Sequence, residues 1–471
     1  MGSLEGSLEQ PQSLDITSLQ KSYAAKAITP AAIIRQVYDR IDSYADKSVW
    51  IHLVPKDEAL KAAVALATNY SDQESLPPLF GVPFSVKDSI DVAGIPTTVA
   101  CPSYAYTPEI TAPAVQKVLD AGGILIGKTN LDQFATGLVG HRSPYGTPRC
   151  IFDSDYISGG SSSGSSVSVG SGQVSFSIGT DTAGSTRVPA TLNGIVGLKP
   201  TLGTISTVGL VPACKNADCI TVLARSIEDA MAAWHTMKGY DEEDVYARPS
   251  MPVLPGFPET VRFGIPPSDL LSVLSPAYTE LFTQTVNGLS GPKIGFRKVD
   301  FVYKPFQAAN DMLYGSSIVA QRLVAFDDYL RKHGTEQLHP VIKTIFESSS
   351  GFDAVRAYQD IFDLALYKRQ AAKQFETSID ILIVPSTVTH FTVSEIEEDP
   401  IVRNKLMGSF THFVNLLDLC AVAIPTGKWT NPNGNLMPFG ITLIGQAGRD
   451  VELMNLGQRI VDYFEACPQV V

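Results

Sequence analysis

The stretch 158–187, SGGSSSGSSVSVGSGQVSFSIGTDTAGSTR, decides how this chain is read. More than half of it is Gly or Ser, a composition that flexible linkers share. A linker, however, does not carry VSFSI (174–178), an alternating β-branched and aromatic run that predicts a strand. Nor does it close on GTDTAGSTRVPA (179–190), where small residues allow a tight turn and an Asp and an Arg flank a Ser. Small residues on both sides of a strand gather backbone N–H groups around something negative. The stretch therefore reads as an active-site frame holding two hydroxyls, Ser161 and Ser185.

Outward from this frame, strands and helices alternate. Thr29-Pro30 opens a helix, with Thr as cap and Pro in the first turn. A helix is predicted over Lys56–Tyr70, a buried strand over Phe80–Val86 running into Lys87, and strands over Ile124–Ile126, Ile195–Leu198 and Val208–Val211. A long helical zone spans about 307–376, and Ile379–Val384 and Phe439–Ile444 read as strands. The alternation argues for α/β architecture with a largely parallel sheet. Residues 1–15 read as a disordered tail and 16–471 as one domain.

The 471 residues carry 36 Lys+Arg against 48 Asp+Glu, a net charge of −12. That balance argues against nucleic acid or an anionic membrane as partner, since both select a basic face. The six Cys form no CxxC pair and no disulfide ladder, as expected of reduced thiols. The start, MGSLEGSLEQPQS, lacks the basic and apolar regions of a secretory signal, and no apolar run approaches a membrane span. A cytoplasmic protein is expected.

Two short patterns mislead. Gly122–Thr129, GGILIGKT, matches the phosphate-loop spacing, yet its variable positions are Ile-Leu-Ile, which favour a strand over a solvated loop. Gly160–Gly164, GSSSG, matches the nucleophile elbow, but no apolar strand precedes it. The seven His include no HExxH, and neither a metal nor a cofactor is expected. Lys87 is sharper: at the inner end of a buried strand, desolvation disfavours its charged form, and a neutral Lys is a usable base.

An ordered series of motifs covers roughly 80–210: GVPFSVKD, GGILIGKTNLDQFATG, GGSSSGSSVSVGSG and GTDTAGSTRVPA leading into GIVGLKPT. On these motifs the chain resembles the amidase signature family. The resemblance implies a large mixed sheet wrapped by helices in one domain, and a Ser–cis-Ser–Lys triad. Ser185 would be the nucleophile, Ser161 the bridging Ser after a cis Gly160–Ser161 peptide, and Lys87 the base. Amides near Thr182, Ala183 and Gly184 would form the oxyanion hole. Within the family, the phrases 97–108, 132–146, 209–220 and 407–427 resemble the amidase part of allophanate hydrolases. That likeness implies a small carboxylated amide as substrate, with Tyr314 and Arg322, eight apart on one helix, as clamp and Gly137 as a further contact. A homodimer, and a separate protein for a second deamination, are the partners it admits. Gln321 departs from the acidic residue usual before the Arg, and Leu202 and Val208 stand where Arg is expected. The alternatives are an amidase, esterase or acyl-transfer enzyme on another small amide, or an amidotransferase A-type subunit.

Overall fold

The computed structural model describes residues 13–71, 75–251, 254–291 and 294–471. Its strands are β1 (Trp50–Leu53), β2 (Pro83–Lys87), β3 (Ile124–Thr129), β4 (Phe176–Asp181), β5 (Val196–Lys199), β6 (Cys219–Ala224), β7 (Val261–Gly264), β8 (Phe296–Lys298), β9 (Ile381–Pro385), β10 (Leu419–Thr430) and β11 (Leu436–Gln446). They form one sheet in the order β1-β3-β2-β4-β6-β5-β10-β11-β9-β7-β8. Every residue of β2, β4, β5, β6 and β9 is buried, because helices cover both faces. This is the mixed sheet of an α/β fold.

The largely parallel pairing expected from alternation is corrected. Parallel neighbours occur at β3-β2-β4 and β9-β7-β8, while the run from β4 through β6, β5, β10 and β11 to β9 is antiparallel. One of these pairs follows from its connection: β10 and β11 are joined by only residues 431–435, too few for the crossover that parallel neighbours need. The strand predicted at Val208–Val211 is a loop that forms only an isolated β-bridge, Ile90 to Leu210. The long helical zone is broken into Lys304–Gly315, the short helices 317–333, Pro340–Ser349 and Ala354–Thr377. Of the expected disordered tail, residues 1–12 lie outside the described residues. Leu14 is fully buried and Asp15 precedes the helix Ile16–Ala24. Among the described helices none is long and apolar enough to cross a membrane.

Locally the sequence signals hold. Thr29 Oγ1 accepts the Ala32 amide at the start of the helix Pro30–Ser43, whose Ile33, Ile34, Val37 and Ile41 are buried at helical spacing. GGILIGKT is no phosphate loop, since its apolar residues form β3, and Lys128 is buried against Asp88 at 3.1 Å. Between Ser161 and VSFSI an unexpected helix, Ser163–Gly170, is buried almost throughout. Its hydroxyls are satisfied locally: Ser166 donates to the Ser163 carbonyl at 2.8 Å and Ser168 to that of Ser165 at 2.9 Å.

Candidate active site

Three neighbouring elements converge on one amine. Lys87 closes β2, and its Nζ donates to Ser161 Oγ at 2.8 Å, Ser162 Oγ at 3.0 Å and Thr180 Oγ1 at 2.8 Å. Ser161 and Ser162 precede the buried helix, and Thr180 lies in β4, which pairs with β2. The amine is fully buried. Burial drives its pKa down to about 7, against the opposing pull of Asp132, Asp181 and Asp218. Three neutral hydroxyls thus surround an amine that is substantially unprotonated near neutral pH. The Gly160–Ser161 peptide is cis.

Ser185 lies in the turn between β4 and the helix Arg187–Leu192 and is 2% exposed. The Ser162 amide donates to the Ser185 carbonyl at 3.2 Å, which places the two Ser-bearing segments side by side. The Lys87–Ser161 leg of the expected relay is a hydrogen bond. Among the described residues no hydrogen bond engages the Ser185 hydroxyl.

The turn is held by a buried ion pair. Asp181 accepts Arg187 Nε at 2.9 Å and Nη2 at 2.8 Å, together with the Gly184 amide at 2.8 Å and the Thr186 amide at 3.2 Å. Burial alone would raise the Asp181 carboxyl, but Arg187 and these amide bonds hold it below the usual carboxylate range. Arg187 Nη1 also donates to the Thr411 carbonyl at 3.1 Å, and Thr411 Oγ1 to the Ala183 carbonyl at 2.6 Å.

These bonds correct one expectation. The Gly184 amide is already donated to Asp181, so it is not free for an oxyanion. The amides of Thr182, Ala183 and Ser185 are given to no other group among the described residues. Gly184 matters for another reason: at φ +120° a Cβ would lie 2.5 Å from Thr411 Oγ1. Gly184→Ala is expected to lower kcat and Tm together, because the added Cβ meets Thr411 and strains the left-handed turn that carries Ser185. A wild-type kcat in a steady-state assay would count against this role of the turn.

Tyr314 and Arg322 do meet, though not as expected. Tyr314 ends the helix Lys304–Gly315 and Arg322 lies in the separate helix Gln321–Ala325. A 3₁₀ turn, Ser317–Ala320, redirects the chain between them, so their approach does not follow from helical spacing. The Arg322 guanidinium carbon is 5.4 Å from the Tyr314 ring centroid. Arg322 is 1% exposed; its Nε donates to Thr136 Oγ1 at 3.1 Å, and its Nη1 is buried with no partner. Gly137 follows Thr136, and a Cβ there would sit 2.6 Å from Asp132 Oδ2 and 3.1 Å from Arg142 Nη1. It is therefore packed between charged side chains, beside the Thr136 that holds Arg322. The His412 ring also lies edge-on to Tyr314, at 5.4 Å. Burial, then Arg187 and Arg322, push His412 down to about 3, so it is neutral. Tyr314 and His412 also line a cavity of about 750 Å³ whose lining includes none of Lys87, Ser161 and Ser185.

Thr180, Ser162, Thr136 and His412 were not singled out from the sequence. The first two stand inside the quoted stretch, and only their hydroxyls marked them. The last two carry no local signal.

A family model described as Amidase matches residues 32–454. Urea amidolyase of Saccharomyces cerevisiae is 40% identical over 431 residues, which cover 89% of this chain and 22% of that protein. The chain thus spans about a fifth of the length of that relative. The A subunit of the glutamyl-tRNA(Gln) amidotransferase of Natranaerobius thermophilus is 30% identical over 474 residues, 93% of each chain. A solved structure of Kluyveromyces lactis allophanate hydrolase matches at TM-score 0.85 and 37% identity, over 95% of this chain and 72% of that one.

Proposed function

The chain belongs to the amidase family, and we propose that it hydrolyses allophanate to ammonia and N-carboxycarbamate. One observation carries the choice of substrate: the Arg322 Nη1, buried and unpartnered beside Tyr314. A buried guanidinium nitrogen without an acceptor is costly, and a carboxylate supplies one with charge-assisted geometry. The allophanate hydrolase and urea amidolyase likenesses support the same reading.

In this reading neutral Lys87 takes a proton from Ser161, which takes one from Ser185 once substrate brings the two hydroxyls together. Ser185 Oγ attacks the terminal amide carbonyl. The resulting oxyanion accepts the free amides among Thr182, Ala183 and Ser185. The C–N bond breaks, the protonated nitrogen leaves as ammonia, and water then attacks the acyl-enzyme to release the acid. Because the base is the unprotonated amine, kcat/KM should rise with pH through a single ionisation near 7 and level above it. A profile flat from pH 5.5 to 8.5 would exclude Lys87 as base.

The deciding assay follows ammonia release from purified chain given allophanate, malonamate and neutral amides. A preference of at least about 100-fold for the carboxylated substrates is expected, the range of a charged hydrogen bond. Arg322→Ala should raise KM for allophanate by roughly 10- to 100-fold and leave a neutral amide nearly untouched. Equal effects on both would make Arg322 structural. A second reading, a neutral small amide, draws on Leu202 and Val208, apolar where a basic residue is expected; Val208 is exposed. Turnover of neutral amides alone would select it. No turnover of any amide would favour an amidotransferase-type subunit.

A further inference from the structure

A second buried carboxylate holds the far end of the turn that carries Ser185. Asp218 immediately precedes β6, and the register that pairs Asp181 with Cys219 sets it beside Thr182, where β4 ends. Its Oδ1 accepts the Thr182 hydroxyl at 2.5 Å. Its Oδ2 accepts the Ala213 amide at 2.8 Å and the Cys214 amide at 3.0 Å. Asn415 Nδ2 ties the flanking backbone, donating to the Asp181 carbonyl at 2.7 Å and to the Ala217 carbonyl at 2.9 Å. Asp218 is buried and forms no ion pair among the described residues. Burial pushes its carboxyl above the usual range, against the Thr182 bond, the two amides and the charge of Arg322. All three partners are arranged as donors, which the carboxylate form satisfies.

We propose that Asp218 is a positioning residue of the reaction: through the Thr182 hydroxyl it fixes the free amides of Thr182 and Ala183 for the oxyanion. This rests on Ser185 and Lys87 in the roles given above, not on the choice of substrate. Three features single Asp218 out. The Gly184 amide is committed to Asp181, so the remaining donors before Ser185 lie toward Thr182. Asp181 and Arg187 hold Gly184, Thr186 and Thr411, whereas the Thr182 side chain bonds only to Asp218 among the described residues. The same carboxylate is one of three, with Asp132 and Asp181, whose charge favours the protonated Lys87 amine. Asp181 is paired with Arg187, and Asp132 accepts the Gly140 and Arg142 amides. Asp218 therefore links the donors that receive the oxyanion to the base that generates the nucleophile. Removing its charge loosens the turn and makes the amine easier to deprotonate.

A fluorophosphonate tests this without a known substrate. Ser185 Oγ forms a bond to phosphorus, fluoride leaves, the hydroxyl proton passes through Ser161 to Lys87, and the phosphoryl oxygen takes the place of the oxyanion. The rate of inactivation of the full chain, with mass spectrometry placing the label on Ser185, should rise with pH through about 7 in wild type. Asp218→Asn should lower the plateau by about 10²-fold, the cost of a misplacement of about 1 Å. It should also move the midpoint to lower pH by roughly one unit, because a charge that favoured the protonated amine is gone. Thr182→Val keeps that charge and removes the hydroxyl, so it should lower the plateau and leave the midpoint in place. Thr182→Ser should recover most of that loss. The double variant Asp218→Asn with Thr182→Val should lose no more than Asp218→Asn alone, since both cut one link. Where Asp218→Asn fails to fold, the two Thr182 variants decide. An Asp218→Asn variant labelled at the wild-type rate, a midpoint that stays in place, or Thr182→Ser as slow as Thr182→Val would each overturn the proposal. A wild type that takes no label would overturn it together with the triad. Labelling in the expected pattern without turnover of allophanate would overturn the substrate reading and uphold the role of Asp218.

Discussion

Ser185→Ala is expected to lower kcat by about 10³- to 10⁶-fold, the range in which loss of an attacking hydroxyl falls when the rest of the machinery remains. The fold should not notice. The Ser185 hydroxyl makes no hydrogen bond among the described residues, so its removal orphans no buried partner. The turn itself is held by Asp181, Arg187 and Thr411. Steady-state ammonia release and a thermal melt on the same preparation separate the two effects. Activity above about a tenth of wild type, at the order-of-magnitude resolution of such comparisons, would remove Ser185 from the role of nucleophile. A large fall in Tm would make any lost activity uninformative, and Ser185→Cys would then supply a second test through its different nucleophilicity. Residual turnover in the Ala variant should still depend on substrate charge, because Arg322 and Tyr314 are untouched.

Lys87→Met is expected to cost a comparable factor, about 10³-fold or more in kcat, and to abolish the rise of kcat/KM near pH 7. Met keeps the length of the side chain and removes the amine, leaving Ser161, Ser162 and Thr180 to pair with one another. The substitution also carries a stability signature with a definite sign. The native pKa of Lys87, about 7, lies below the unfolded value of about 10.4. Between those values the unfolded chain binds more protons, so this residue makes wild-type stability rise with pH across roughly 7 to 10. Below about pH 7 the amine is charged in both states and its destabilising contribution is complete. The advantage of Lys87→Met over wild type in Tm should therefore be largest near pH 6 and shrink toward pH 10. An advantage that grew with pH would contradict a depressed pKa. A simple cavity effect would not change with pH, which keeps the measurement independent of activity.

How much of this was legible in the sequence differs by element. The helix at Pro30–Ser43 was readable from its cap and its apolar spacing, because both signals are local. The strand at VSFSI was readable for the same reason, although β4 starts two residues later, at Phe176. The direction of pairing was not readable, since a strand carries no mark of which neighbour it will meet. The helix Ser163–Gly170 was hidden because Gly and Ser are poor helix formers, and only burial and the back-bonding of its own hydroxyls make it helical. Gly184 was read as an amide donor because nothing in GTDTAGSTR says that the Asp181 carboxylate folds back onto it.

The class of chemistry was written in consecutive residues: an ordered set of short motifs placed a Lys at a strand end and two Ser within one small-residue frame. Those signals survive translation into three dimensions because each is set by a few neighbours in the chain. The remainder came from long-range closure of the fold. The Lys87 amine is depressed because β2 lies inside a sheet covered on both faces, and no local pattern encodes that desolvation. Arg322 meets Tyr314 across a break between helices, beside Thr136 and near His412, residues separated by up to 276 positions in the chain. Which atoms lack a partner, and so which ligand completes the site, depends on that closure, because a hydrogen-bond acceptor can be missing only once every neighbour is in place.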